Sequence, residues 1–178
     1  RLPADLPCQV VTGVDGTKKV LVGGISLPAF SETTLETGKP VDAASPFRVD
    51  GHAVETPCLR VRFDESGRIV SCVEKESGRE CVREGGLFNR LVIGEDVPAA
   101  WDNWDVDVDQ KLKMRPVLQM IGEEVVENGA LELRIRRRYT LGEHSTLTQD
   151  TIFHADSAQI DFETKVDWKD RHKLLKAE

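Results

Sequence analysis

Residues 99–110 read AAWDNWDVDVDQ and hold two of the chain's three tryptophans with four aspartates. Two chemistries suit that mixture. Indole rings stack on the apolar faces of pyranoses, and carboxylates accept hydrogen bonds from sugar hydroxyls. Trp101, Asp102, Trp104 and Asp105 supply both groups at a spacing of three. Asp105, Asp107 and Asp109 also have the D-x-D-x-D spacing that opens a calcium loop. That match then fails, because Gln110 stands where a turn-making Gly is needed and Pro116 where the closing Glu belongs. The alternation of Asp105, Val106, Asp107, Val108 and Asp109 reads instead as a strand edge. The competing reading of Trp101 and Trp104 is packing beneath a long loop, which their local chemistry alone favours.

Other candidates for catalysis are weaker. His52, His144, His154 and His172 form no H-E-x-x-H or H-x-H pattern. "HADS" (154–157) brings His, Asp and Ser together, but three triad members within one turn do not reach relay geometry. Asp156 and Ser157 read as turn formers bonded to local backbone. Neither G-x-S-x-G nor a phosphate loop occurs. Paired carboxylates at glycosidase separation are uninformative in so acidic a chain. The residues therefore predict no catalytic group and no metal ligand. Cys8, Cys58, Cys72 and Cys81 make no C-x-x-C pair and read as free thiols in a reducing compartment, which predicts a cytoplasmic protein.

Composition excludes further classes. A formal charge of −7 over 178 residues argues against nucleic acid. No apolar run approaches the roughly 18 residues of a membrane span. The one basic cluster, Arg134, Arg136, Arg137 and Arg138, reads as a solvated strand face paired with acidic neighbours. The chain opens "RLPADLP" without an initiator Met and stops at "HKLLKAE" without a turn or cap. Both ends read as cuts in a longer polypeptide.

The elements that must position the Trp-Asp stretch have a period of two. "LELRIRRRYTL" sets Leu131, Leu133, Ile135, Tyr139 and Leu141 on one face and Glu132, Arg134, Arg136 and Arg138 on the other, with Arg137 alone breaking the inward phase. "QIDFETKVDW" sets Ile160, Phe162, Val166 and Trp168 inward, and "CLRVRFD" alternates likewise. Strands with one wet face are typical of antiparallel sheets. "DESGR", "KESGRE", "ENGA", "LGEH" and "HADSA" supply reversals between them. "CQVVTG" and "KKVLVGGISLPAFS" read as strands around Asp15-Gly16, and "ETGKPVDAASP" as a connector. The prediction is an all-β antiparallel sandwich with no amphipathic helix and at most a turn near 84–90.

Several of these segments resemble the post-catalytic β region of glycoside hydrolase family 38 α-mannosidases. "EKESGRE" (74–80) is similar to that family's turn. Asp96, Pro98, Trp101, Asp102, Asn103, Trp104 and Asp105 match a "D-x-P-x-x-W-D-A-W-D" loop, with Asn103 replacing the common Ala. "VDWKDRHKLLK" (166–176) matches a later strand, with Asp170 where Glu is usual. The resemblance implies that residues 1–42 are the tail of a small β-sandwich plus connector, with "SLPAFS" (26–31) in its last strands. It implies that residues 43–178 begin a galactose-mutarotase-like supersandwich, incomplete at its C-terminal side. The parent would be a retaining glycosidase of terminal α-D-mannosyl residues in α-mannoside oligosaccharides. Its zinc, Asp nucleophile and acid would lie in a catalytic domain absent here; that domain and the remaining β-strands of the same polypeptide would be this chain's partners. In that setting the Trp101–Asp105 loop becomes a candidate wall of the substrate cleft. The alternative is a stand-alone carbohydrate-binding β-sandwich using Trp101 and Trp104. An incomplete sandwich also exposes an edge, which predicts self-association.

Overall fold

The computed structural model describes residues 2–101 and 104–178; Arg1, Asp102 and Asn103 lie outside the described residues. The described elements, in chain order, begin with β1 (Leu2–Pro3), β2 (Cys8–Thr12), β3 (Lys18–Val22), β4 (Thr37–Gly38), β5 (Arg48–Asp50), β6 (Ala53–Glu55), β7 (Leu59–Phe63) and β8 (Ile69–Glu74). They continue with β9 (Leu91–Glu95), α1 (Gln110–Lys113), β10 (Arg115–Pro116), β11 (Met120–Asn128), β12 (Glu132–Leu141), β13 (Ser145–His154), β14 (Ile160–Asp167) and β15 (Lys173–Ala177). Every pairing between these named strands is antiparallel. β5–β8 and β11–β14 are four-stranded meanders, and β9 is flanked by β10 and β15 in a third sheet.

The meanders follow from local chemistry. Between β7 and β8, the Asp64 carboxylate accepts from the amides of Ser66 and Arg68 at 2.9 and 3.0 Å. Gly67 supplies the positive φ of 76° that closes the turn. A Cβ there would lie 2.4 Å from Arg137 Cδ and 2.6 Å from Tyr139 Oη, so the position needs glycine for space as well as conformation. The β11–β12 reversal falls just after the Asn-Gly pair: Asn128 ends β11, and the Gly129 amide donates to the Glu132 carbonyl at 3.1 Å across Ala130 and Leu131.

One long sheet serves two partners. The inward residues Leu133 and Ile135 of β12 and Phe153 of β13 pack against Val54, Leu59, Val61, Phe63, Ile69 and Cys72 of the β5–β8 sheet. Farther along, Tyr139, Leu141 and Leu147 pack against Leu91 and Val117, with Ile93 and Leu175 alongside. Arg137 points inward between these clusters. Its guanidinium lies 4.0 Å from the Phe63 ring centroid and donates to Glu123 Oε2 at 2.6 Å and Thr151 Oγ1 at 3.1 Å. A buried cation is tolerated there because its donors are matched and an aromatic face covers its plane.

The outer face of the long sheet is not simply solvated, which corrects the sequence expectation. Acidic partners are present as expected, but Arg134 is buried and Asp150 is 0% exposed. Asp150 holds Arg136 through paired contacts of 2.7 and 2.8 Å and also reaches Arg134 Nη1 at 3.4 Å. Arg134 further pairs with Glu132 and Glu163. The β2–β3 hairpin covers this network. Gln9 bonds the backbone of Leu131 and Glu132, and the Thr12 carbonyl accepts from Arg136 at 3.4 Å.

Three further expectations change. Residues 23–36 form no strand, so "SLPAFS" does not lie in strands. Phe162, Val166 and Trp168 are 37–40% exposed rather than buried, because β14 is an edge strand that the β5–β8 sheet covers only at Ile160. Asp105–Asp109 is turn and coil leading into α1, not a strand edge.

Candidate functional site

The Trp-Asp stretch occupies the connection from β9 to β10. Its base is fixed on both sides. The Asp96 amide donates to the His172 carbonyl at 2.8 Å, tying the departing chain to the start of β15. At the other side Gln110 is 3% exposed; its amide nitrogen contacts Met114 Sδ, and its oxygen accepts from Lys176 Nζ at 2.7 Å. Gly94 lets α1 approach β9, since a Cβ would sit 2.7 Å from Met114 Sδ and 2.8 Å from the Lys113 carbonyl. The connection therefore stands on a firm footing although it has almost no regular structure of its own.

At its crest the Trp101 carbonyl accepts from the amides of Trp104 and Asp105 at 2.8 and 3.0 Å. Trp101 adopts a φ of 60°, uncommon for a bulky side chain and worth a functional hypothesis. Trp101 and Trp104 are 75% and 88% exposed, so packing beneath the loop, the reading their local chemistry favoured, is overturned. Val97, Val106, Val108 and Leu112 are also exposed, which makes this one of the most apolar surfaces of the chain. Of the predicted site residues, Trp101, Trp104 and Asp105 share one turn, while Asp102 lies outside the described residues.

Among the described residues, the loop's carboxylates each engage a different partner. Asp105 Oδ1 accepts from the Val106 amide at 2.9 Å, Asp107 Oδ1 from the Ala99 amide at 3.3 Å, and Asp109 pairs with Lys113 at 3.4 Å. Among the described residues no group of three His, Cys, Asp or Glu is arranged to hold a metal ion. His154 Nε2 contacts Asp161 Oδ2 at 2.8 Å rather than Asp156, and Ser157 Oγ accepts from the Gln159 amide at 3.1 Å. "HADS" thus serves a turn.

A family model for the "Glycosyl hydrolases family 38 C-terminal domain" matches residues 54–178. The chain belongs to glycosyl hydrolase family 38. It is 37% identical to human "Alpha-mannosidase 2C1" over 67% of its length and 38% identical to the mouse protein of that name over 85%. "Alpha-mannosidase G" of Dictyostelium discoideum is 29% identical over 97% of the chain. The chain spans only 12–18% of the length of these relatives. The matched family 38 region contains the whole Trp loop and both β9 and β15, which anchor it.

Asp170 lies just ahead of β15. Its carboxylate accepts from the amides of Glu143, His144 and Ser145 and from Ser145 Oγ at 2.5–3.3 Å. The Ser145 hydroxyl first, and then those amides, hold the Asp170 carboxyl down at about 2. Asp170 thereby binds the β12–β13 turn to the segment leading into β15.

Sequence reasoning assigned no role to two buried polar residues, Gln110 under the loop and Arg137 between the two core clusters. Gln110 gave no signal beyond failing the calcium pattern. Arg137 did give one, as the only charge on the inward phase of β12.

Proposed function

We propose that the chain is a non-catalytic β-domain segment of an α-mannosidase that hydrolyses terminal α-D-mannosyl residues with retention. The observation that carries this reading is the pair of outward-facing tryptophans on an anchored loop inside the family 38 region. An exposed indole pair flanked by carboxylate suits a wall of a sugar cleft, since functional groups often sit on loops held by a rigid scaffold. The boundary near residues 42 and 43 separates the tail of a smaller β-sandwich from the start of the larger one. The nucleophile, the acid and the zinc belong to another part of the polypeptide, a reading supported by the match of residues 54–178 to the family's C-terminal domain. No reaction step is assigned to this segment. Its partners are that catalytic domain, the neighbouring strands and the mannoside. Four free cysteines fit a reducing, cytoplasmic setting.

Hydrolysis of an aryl α-mannoside by the intact polypeptide and by the 178-residue chain tests the proposal. The intact protein should release the phenol and lose that activity to a zinc chelator. The isolated chain should release none; turnover by the chain alone refutes the assignment. The half-exposed apolar side chains of edge strand β14 also lead to self-association of the isolated chain. Sedimentation should show concentration-dependent oligomers, and a monomer at all concentrations would count against that.

The exposed tryptophans also favour a second reading, a free-standing sugar-binding module. Millimolar or tighter binding of mannobiose by the isolated chain, followed by tryptophan fluorescence, would select it.

A further inference from the structure

We propose that Cys72 and Cys81 form a dithiol site that low-molecular-weight disulfides of the glutathione class oxidise to an intramolecular disulfide. Cys72 lies on β8, and residues 80–81 run antiparallel beside it through the Val73–Glu80 bridge. In that register Cys72 stands directly opposite Cys81, and the Cys81 amide donates to the Cys72 carbonyl at 2.8 Å. The Cys72 amide donates instead to Glu80 Oε1 at 2.8 Å, and residues opposite one another on antiparallel strands have Cα atoms about 4.5–5.5 Å apart. That is inside the separation of roughly 4.4–6.8 Å that a disulfide spans. Both side chains lie on the same face of the ribbon. Both line one apolar cavity of about 320 Å³ at the open side of the sandwich, with Ile69, Phe88, Ile160 and Phe162.

The two thiols differ in the way a stepwise exchange requires. Cys81 is exposed and meets the oxidant; Cys72 is buried. Burial first, then the neighbouring Cys81 and Glu80, push the Cys72 thiol up to about 11. Attack by the Cys81 thiolate on glutathione disulfide forms a mixed disulfide and releases one glutathione thiolate. The Cys72 sulfur, after losing its proton to solvent, then attacks Cys81 Sγ and expels the second glutathione. Two protein thiols and one glutathione disulfide become one protein disulfide and two glutathiones. The scarcity of Cys72 thiolate makes the second step the slower one. Cys8 has no place in this geometry, and Cys58 lies outside the 72/81 ribbon.

The site can be read directly by peptide mapping. Trypsin cuts after Arg68, Lys75, Arg79 and Arg83, which leaves Cys72 in 69–75 and Cys81 in 80–83. The intact protein is equilibrated in excess glutathione disulfide, quenched with acid, alkylated and digested. The proposal predicts a linked 69–75/80–83 pair in most molecules, with Cys8 and Cys58 alkylated. Dithiothreitol should dissolve the link. Cys72→Ser should instead accumulate glutathione on Cys81. Cys81→Ser, a change at an exposed position that leaves the core intact, should abolish the link and leave Cys72 reduced. Persistent glutathione on Cys81 in the unaltered protein, or full alkylation of both thiols, overturns the proposal.

Discussion

Asp150→Ala should be among the most destabilising single changes outside the apolar core. The carboxylate is 0% exposed and holds Arg136 by two contacts, with Arg134 within 3.4 Å. Removing it leaves guanidinium groups beneath the β2–β3 hairpin short of a counter-charge. Breaking a buried ion pair by deleting one partner costs about 3–5 kcal/mol. The lower end applies here, because Arg134 keeps Glu132 and Glu163, and the Arg136 side chain is 17% exposed. With a urea slope of about 2 kcal/mol per molar, a loss of about 3 kcal/mol lowers the midpoint by about 1.5 M. The control is Arg138→Ala, which breaks the Arg138–Glu124 pair between β12 and β11, two residues along β12 from Arg136. Its partners are 45% and 47% exposed, so the change should cost no more than about 0.5 kcal/mol. Far-UV circular dichroism in urea reports both midpoints. Equal shifts for the two variants would refute the claim that the hairpin seals this face.

Other consequences are as specific. Gly67→Ala should destabilise by about 2 kcal/mol or more, since φ is 76° and the new Cβ meets Arg137 and Tyr139; an unchanged thermal midpoint would contradict the turn geometry. The sequence has a single tyrosine, so ultraviolet titration reads Tyr139 alone. Burial pushes its phenol up to about 12, against about 10 when unfolded. A group whose pKa is raised in the fold contributes stability that is complete below about pH 10 and is lost as pH climbs towards 12. Ionisation near 10 without unfolding would show that Tyr139, whose hydroxyl donates to the Ser66 carbonyl at 3.1 Å, is not buried.

The alternating stretches were legible because one wet face imposes a period of two. β7, β12 and β14 lie where "LRVRF", "ELRIRRRYTL" and "IDFETKVD" place them, and Gly67, Gly78 and Gly142 supply positive φ in three of the expected reversals. Period does not say what covers a face. Arg134 has the sequence signature of a wet residue, yet Gln9 and Thr12, more than a hundred positions away, bring a hairpin over it. Phe162 has the signature of a core residue, but among the described residues β14 has no strand neighbour on its far edge. The Trp loop was conspicuous by composition. Its exposure was not legible, because the anchors are a backbone carbonyl at His172 and the side chain of Lys176, both distant in sequence.

The most direct test of the proposed cleft-wall role is kcat/KM for an α-mannoside in the intact polypeptide carrying Trp101→Ala or Trp104→Ala, measured beside its unfolding midpoint. Both rings are exposed, so stability should stay within about 0.5 kcal/mol. The account predicts a fall in kcat/KM of about tenfold, equivalent to roughly 1.4 kcal/mol of lost transition-state binding. Unaltered kcat/KM in both variants, with the fold intact, would contradict it.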